Sequence, residues 1–138
     1  MATATIEVRS DPRIVWDLLA DVPGWADWNP AIREISVDGD LDVGSHFRWA
    51  IGPGTRTSKL TLLEPPTRIA WRGSFMSIHH EQRWLIERRD DGCTVTAWTF
   101  LSRPLARLLR GRLERNERSD LEAWVGLLKL EAEDRAGT

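Results

Sequence analysis

Apolar and polar positions change rhythm along this chain, and the changes mark its elements. Thr3 to Arg9 alternates, with Ile6 and Val8 on one side, and reads as a first strand. Ser10-Asp11-Pro12 is a helix start: Asp11 suits the cap and Pro12 the first helical position. Ile14, Val15, Leu18 and Leu19 then make an amphipathic helix to about Asp21, which Pro23-Gly24 breaks. A short helix or turn follows, with Trp25 and Trp28 on one side. From Ile32 onward the period is two. Alternating runs occupy Arg33–Val37, Ser45–Ile51, Thr55–Leu63, Arg68–Phe75, Ile78–Arg88 and Cys93–Leu101, separated by Asp38-Gly39, Gly52-Pro-Gly54, Pro65-Pro66 and Asp90-Asp91-Gly92.

The period then returns to that of a helix, from Pro104 to about Asp134. This stretch is rich in Leu, Glu and Arg, which favour helix. Leu109, Leu113, Leu121, Trp124, Leu127 and Leu128 fall on one face. Asn116, Glu117 and Asp120 project into the middle of that stripe, where a helix built only for packing would carry Leu or Ala. Polar groups on a buried face need partners, so a polar surface or a ligand is expected opposite them. The order is strand, two helical pieces, a meander of about six strands, then one long helix. It predicts a single α+β domain over residues 1–138, the antiparallel sheet wrapped around the long helix.

Composition narrows the function classes. The 138 residues carry a net charge of −2, which gives no global attraction to nucleic acid or anionic membrane. No apolar run approaches membrane-spanning length, and no secretory signal is visible, so a cytoplasmic protein is expected. Cys93 is the only cysteine, follows a hairpin glycine and has no base in a motif with it; it reads as inert. His79 and His80 are strand neighbours that point to opposite faces and cannot share a metal; no cofactor or metal site is expected. The arginines from Arg103 to Arg118 fall mostly opposite the apolar stripe and read as a solvated face. Eight Trp and no Tyr is the departure from ordinary composition, and several of these Trp sit at alternate strand positions.

The residues that carry a family resemblance are Asp11-Pro-x-x-Val15-Trp16-x-Leu18-Leu19-x-Asp21, Trp25-x-x-Trp28-Asn29-Pro30-x-Ile32, Gly44, Ile69-x-Trp71-Arg72-Gly73, Gly92-x-Thr94 and Leu121-Glu122-Ala123-Trp124. In this order and spacing the chain resembles the SRPBCC, or START and Bet v 1-like, superfamily, and within it the polyketide cyclase/dehydrase branch. The resemblance implies a helix-grip fold, with six or seven strands curved around the C-terminal helix and a cavity between them. Four positions depart from that pattern. Gln82 stands where relatives carry a His, Trp98 and Phe100 where they often carry a His and a Glu, and Asp120 where a small residue is common.

Two residue sets are candidates for the site. The first is an aromatic lining of Trp49, Trp71, Phe75, Trp84, Trp98 and Phe100, with Trp28 near the mouth and Leu109 and Leu113 opposite. Its plainer reading is packed core. The second is Asn116, Glu117 and Asp120 on the helix facing His80 and Gln82 on a strand. That set would hydrogen-bond a ligand hydroxyl or carbonyl, or, with Asp120, Glu117 and His80 as the proton-handling groups, catalyse acid–base chemistry. Its plainer reading is a structural ion pair with Arg72 or Arg83. The expected function is binding of a small hydrophobic molecule, lipid-like, aromatic or polyketide-like, by a monomer or homodimer. The alternatives are a cyclase, aromatase or dehydratase using the same pocket, and a protein-interaction module with a collapsed core.

Overall fold

The computed structural model describes residues 1–51, 54–75, 78–102 and 110–137, with backbone alone for residues 75 and 110–116. The order is β1 (Ala2–Val8), α1 (Pro12–Ala20), a 3-10 turn (Val22–Gly24), α2 (Trp25–Trp28), β2 (Ile32–Val37), β3 (His46–Ile51), β4 (Thr55–Glu64), β5 (Arg68–Phe75), β6 (Ile78–Arg89), β7 (Gly92–Ser102) and α3 (Arg110–Ala136). This is the expected α+β helix-grip architecture with seven strands. The expected first turns of the long helix, at 104–109, lie outside the described residues.

Local chemistry sets the boundaries. The Asp11 carboxylate accepts the Arg13 backbone N–H at 2.8 Å, and Pro12 occupies the first helical position, so α1 starts where two orphan donors are dealt with. The seven strands form one antiparallel sheet in the order β1-β7-β6-β5-β4-β3-β2. The meander from β2 to β7 pairs neighbours in sequence. β1 joins at the far edge, with Ala2 opposite Thr99 and Val8 opposite Cys93. Gly92 is required at that corner: its φ is +151°, and a Cβ there would strike the Val8 carbonyl oxygen.

α3 covers the concave face. Leu121, Trp124, Val125, Leu128 and Ala132 are buried on its inner side. Its C-terminal half is tied to the end of β1. The Lys129 ammonium donates to the Glu7 carbonyl at 2.8 Å and to Glu133 at 2.7 Å, and Glu133 accepts the Arg9 backbone N–H at 2.8 Å. The Arg9 hydrogen bond, then Lys129, holds the Glu133 carboxyl below its usual range.

The core between sheet and helix is aromatic. Trp25, at the start of α2, is fully buried and sits among other rings. Its centroid lies 4.7 Å from Trp71, 5.5 Å from Trp124, 5.6 Å from Phe47 and 5.8 Å from Trp49. Its indole N–H is satisfied by the Leu19 carbonyl at 3.1 Å. Trp84 stacks on Trp71 at 6.4 Å and meets Trp124 edge-on at 5.7 Å. Rings at these separations interlock, each burying about 150–250 Å². Among the described residues no helix is long and apolar enough to cross a membrane.

Candidate functional site

Strand parity and register decide which side chains share the concave face. Ser58 pairs with Gly73 and Gly73 with His80, which places the three in one row across β4, β5 and β6. The next row holds Leu60, Trp71, Gln82 and Thr99, with Thr99 directly opposite Gln82. The row beyond is apolar, with Ile69, Trp84 and Ala97. The concave face therefore has an aromatic centre and, beside it, a polar quarter formed by Ser58, His80, Gln82 and Thr99. Glu117, buried on α3, adds a carboxyl to the interior.

Gly73 opens this quarter. A Cβ on it would collide with the Thr57 carbonyl and come within 2.9 Å of Ser58 Oγ and 3.0 Å of His80 Nε2. Glycine inside a strand marks close approach of other groups, and here the approach is by two polar side chains. Ser58 Oγ accepts the Trp49 indole N–H at 3.0 Å, and Gln82 Oε1 accepts that of Trp84 at 3.3 Å. His80 Nε2 and Thr99 Oγ1 are buried and have no hydrogen-bond partner among the described residues. The same holds for the indole nitrogens of Trp71 and Trp124. Each such group costs about 1–3 kcal/mol if left unmet.

Electrostatics keep the His80 imidazole neutral. Burial, then the nearby Arg56 and His79 charges, lowers its pKa from 6.5 to about 4. Arg56 lies 5.5 Å over the Trp49 ring, at the rim of the same face. Burial lowers its pKa, and Asp120 on α3 opposes that shift. Asp120 itself is exposed.

The candidates therefore separate. His80, Gln82, Trp49, Trp71 and Trp84 share the concave face, and Glu117 is buried on α3. Trp28 is buried in α2. The side chains of Phe75, Leu113 and Asn116, and all of Leu109, lie outside the described residues. Two expectations need correction. Trp98 and Phe100 do not line the concave face: Trp98 is opposite Arg83 and Phe100 opposite Glu81, one parity step from Trp84 and His80, so both stand on the convex face. Asp120 does not project inward: it is exposed on α3, and its charge acts on Arg56 at the rim. The space beside Trp71 is filled by Trp25 and Trp124 rather than open.

Sequence reasoning passed over Ser58, Gly73 and Thr99 as site residues. The available signals were a glycine in mid-strand and two hydroxyls at inward positions between bulky residues. Cys93 is buried, with its thiol pKa raised by burial first and Asp11 second, in keeping with an inert thiol. Among the described residues no group of three or more His, Cys, Asp or Glu is placed to hold a metal.

Solved structures share this architecture across nearly the whole chain. The di-domain ARO/CYC StfQ from the steffimycin biosynthetic pathway superposes with a TM-score of 0.84 at 17% identity, covering 99% of this chain and 51% of that one. The di-domain ARO/CYC BexL covers 95% and 49% at 18% identity, with a TM-score of 0.77, so the chain spans about half the length of these two proteins. A norcoclaurine synthase point mutant from Thalictrum, in complex with a transition state analogue, gives a TM-score of 0.75 at 12% identity, covering 96% of this chain and 93% of that one. At these identities the likeness is one of fold. No curated protein matches the chain in sequence at a significant level. The family described as polyketide cyclase / dehydrase and lipid transport has a model that matches residues 2–133, and the chain belongs to that family.

Proposed function

We propose that this domain binds a small, mostly apolar molecule carrying a hydroxyl or carbonyl group, held between the polar quarter of the sheet and α3. The observation that carries the reading is the pair of buried, unmet polar atoms on the concave face, His80 Nε2, close against Gly73, and Thr99 Oγ1 in the next row. A ligand that meets both offsets the cost of burying them. The aromatic neighbours Trp49 and Trp84 make the surroundings apolar, which favours a ligand with little other polarity.

The polar group of the ligand is bound rather than transformed in this reading. General acid–base catalysis works best when the catalytic pKa lies near the operating pH. His80, at about 4, is far below neutrality and serves as a hydrogen-bonding imidazole. Asp120, one of the expected proton carriers, is exposed beside Arg56. Both features weigh against a cyclase or dehydratase step through these residues.

Native mass spectrometry of the purified protein, alone and with a panel of apolar alcohols and ketones, tests the reading. Wild type should retain a ligand. Thr99→Val and His80→Phe should each weaken retention by roughly tenfold, the value of one buried hydrogen bond. Retention unchanged in both variants would move the site elsewhere.

A further inference from the structure

The convex face carries an arrangement that the interior site does not use. Register sets His46 opposite Lys59 and Lys59 opposite Arg72, so three basic side chains form one row across β3, β4 and β5. Like charges directly opposite destabilise an antiparallel pair. The chain has acidic residues to spare, 21 against 19 basic, yet Lys59 and Arg72 have no ion pair or hydrogen bond among the described residues. Both border an open groove of about 680 Å³ on this face.

A second open groove of about 570 Å³ adjoins the first, and Phe100 and Glu81 line both. Leu62, Leu85, Trp98 and Phe100 give it an apolar and aromatic wall, with Arg68, Glu81 and Arg83 beside them. Glu81, directly opposite Arg72 in register, makes its ion pair with Arg83 at 3.2 Å instead, and the Arg83 guanidinium lies 5.4 Å over the Phe100 ring. Of the eight tryptophans seven are buried, and Trp98 is the one that is partly exposed.

We propose that this convex face docks on an anionic lipid bilayer, with Lys59 and Arg72 against headgroup phosphates and Trp98 and Phe100 at the boundary with the acyl chains. A soluble anion would need only the cationic row. The aromatic strip on the same face matches a surface where charge gives way to hydrocarbon, which is where Trp side chains concentrate. Unpaired Lys and Arg gain affinity near anionic headgroups, roughly fivefold per charge. The first groove also reaches Ser58, Gly73 and His80, but the inference rests on the exposed Lys59 and Arg72 and the partly exposed Trp98 and Phe100, none of which belongs to the polar quarter.

Co-sedimentation with vesicles tests it, comparing phosphatidylcholine alone with phosphatidylcholine mixed with phosphatidylglycerol. The intact chain should partition onto the mixed vesicles roughly tenfold better or more, and the preference should fall with added salt. Lys59→Glu combined with Arg72→Glu should abolish the preference; both side chains are exposed, and a circular dichroism spectrum like that of wild type checks the fold. Lipids brominated along the acyl chain should quench part of the tryptophan emission, and Trp98→Phe should remove that quenching. Equal binding to both vesicle types, a preference that survives the double variant, or quenching that survives Trp98→Phe would each overturn the proposal. So would release of the protein from mixed vesicles by inorganic phosphate or an acidic peptide at matched ionic strength, which would reassign the row to a soluble anion.

Discussion

The aromatic centre and the polar quarter of the concave face are neighbours on the same strands, yet they are built on opposite terms. Around Trp25 the rings fill the space; the Trp25 indole N–H has a partner at 3.1 Å, whereas those of Trp71 and Trp124 have none among the described residues. One row away, at Ser58, Gly73 and His80, a side chain is missing where one would fit only by collision, and buried polar atoms lack partners. The first region is organised to hold the fold together. The second sets an unmet imidazole nitrogen and an unmet hydroxyl among small or polar neighbours rather than interlocked rings, and such local costs cluster where a protein meets a ligand.

Substitutions that act on one region and spare the other put the contrast to the test. The largest effect is expected at the centre. Trp25→Ala removes a ring that touches four others and should destabilise the fold by about 3–5 kcal/mol, measured by denaturant unfolding. A loss under about 1 kcal/mol would mean that the centre is loosely packed and the contrast is false.

The next effect is one of pH. The folded-state pKa of His80 lies below its unfolded value, so the unfolded chain takes up the proton first as pH falls. The stability from keeping His80 neutral is fully present above pH 6.5 and is lost progressively down to about pH 4. The whole window amounts to about 3 kcal/mol. His80→Gln should flatten the stability curve across that window, as read by urea midpoints at several pH values. A curve of unchanged slope in the variant would assign the pH dependence to other groups. Glu133, whose pKa is depressed, contributes on the acid side of its usual 4.5 and leaves the upper part of the window clear.

The smallest effect is expected at Thr99. Replacing its unmet hydroxyl by a methyl in Thr99→Val should leave stability unchanged or raise it by about 1 kcal/mol, in thermal or denaturant unfolding. The same variant is expected to lose ligand. A variant that folds better and binds worse separates the two regions; clear destabilisation would make Thr99 part of the packing.

The architecture was legible in the sequence because turn chemistry and period change together. Asp11-Pro12, Pro65-Pro66 and Asp91-Gly92 set element ends that the backbone follows. The faces were harder to read. A period of two says which residues share a face but not which face is inside. On β7 both sets are apolar, and the large Trp98 and Phe100 suggested the wrong one. The inner set is small, Ala97 and Thr99, because Trp84 stands opposite Ala97 and fills the room. Trp25 was read as one side of a turn, since its burial depends on rings brought from β3, β5 and α3, which local pattern does not encode. The polar quarter was half visible: His80, Gln82 and Glu117 were singled out, whereas Ser58, Gly73 and Thr99 gain meaning only through register.

One consequence of the strand order concerns the order of events during synthesis. β1 has a single partner strand, β7, and its last residues are further tied to α3 through Lys129 and Glu133. The first strand of the domain therefore waits for the strand of the sheet farthest from it in sequence before its hydrogen bonds close. Contacts of such long sequence separation slow folding, and a nascent chain carries β1 as an open edge in the meantime. In the first half of β1, Ala2 to Thr5, the side chains are small or hydroxylated rather than large and apolar, which lowers the tendency of an unpaired edge to stick to its neighbours.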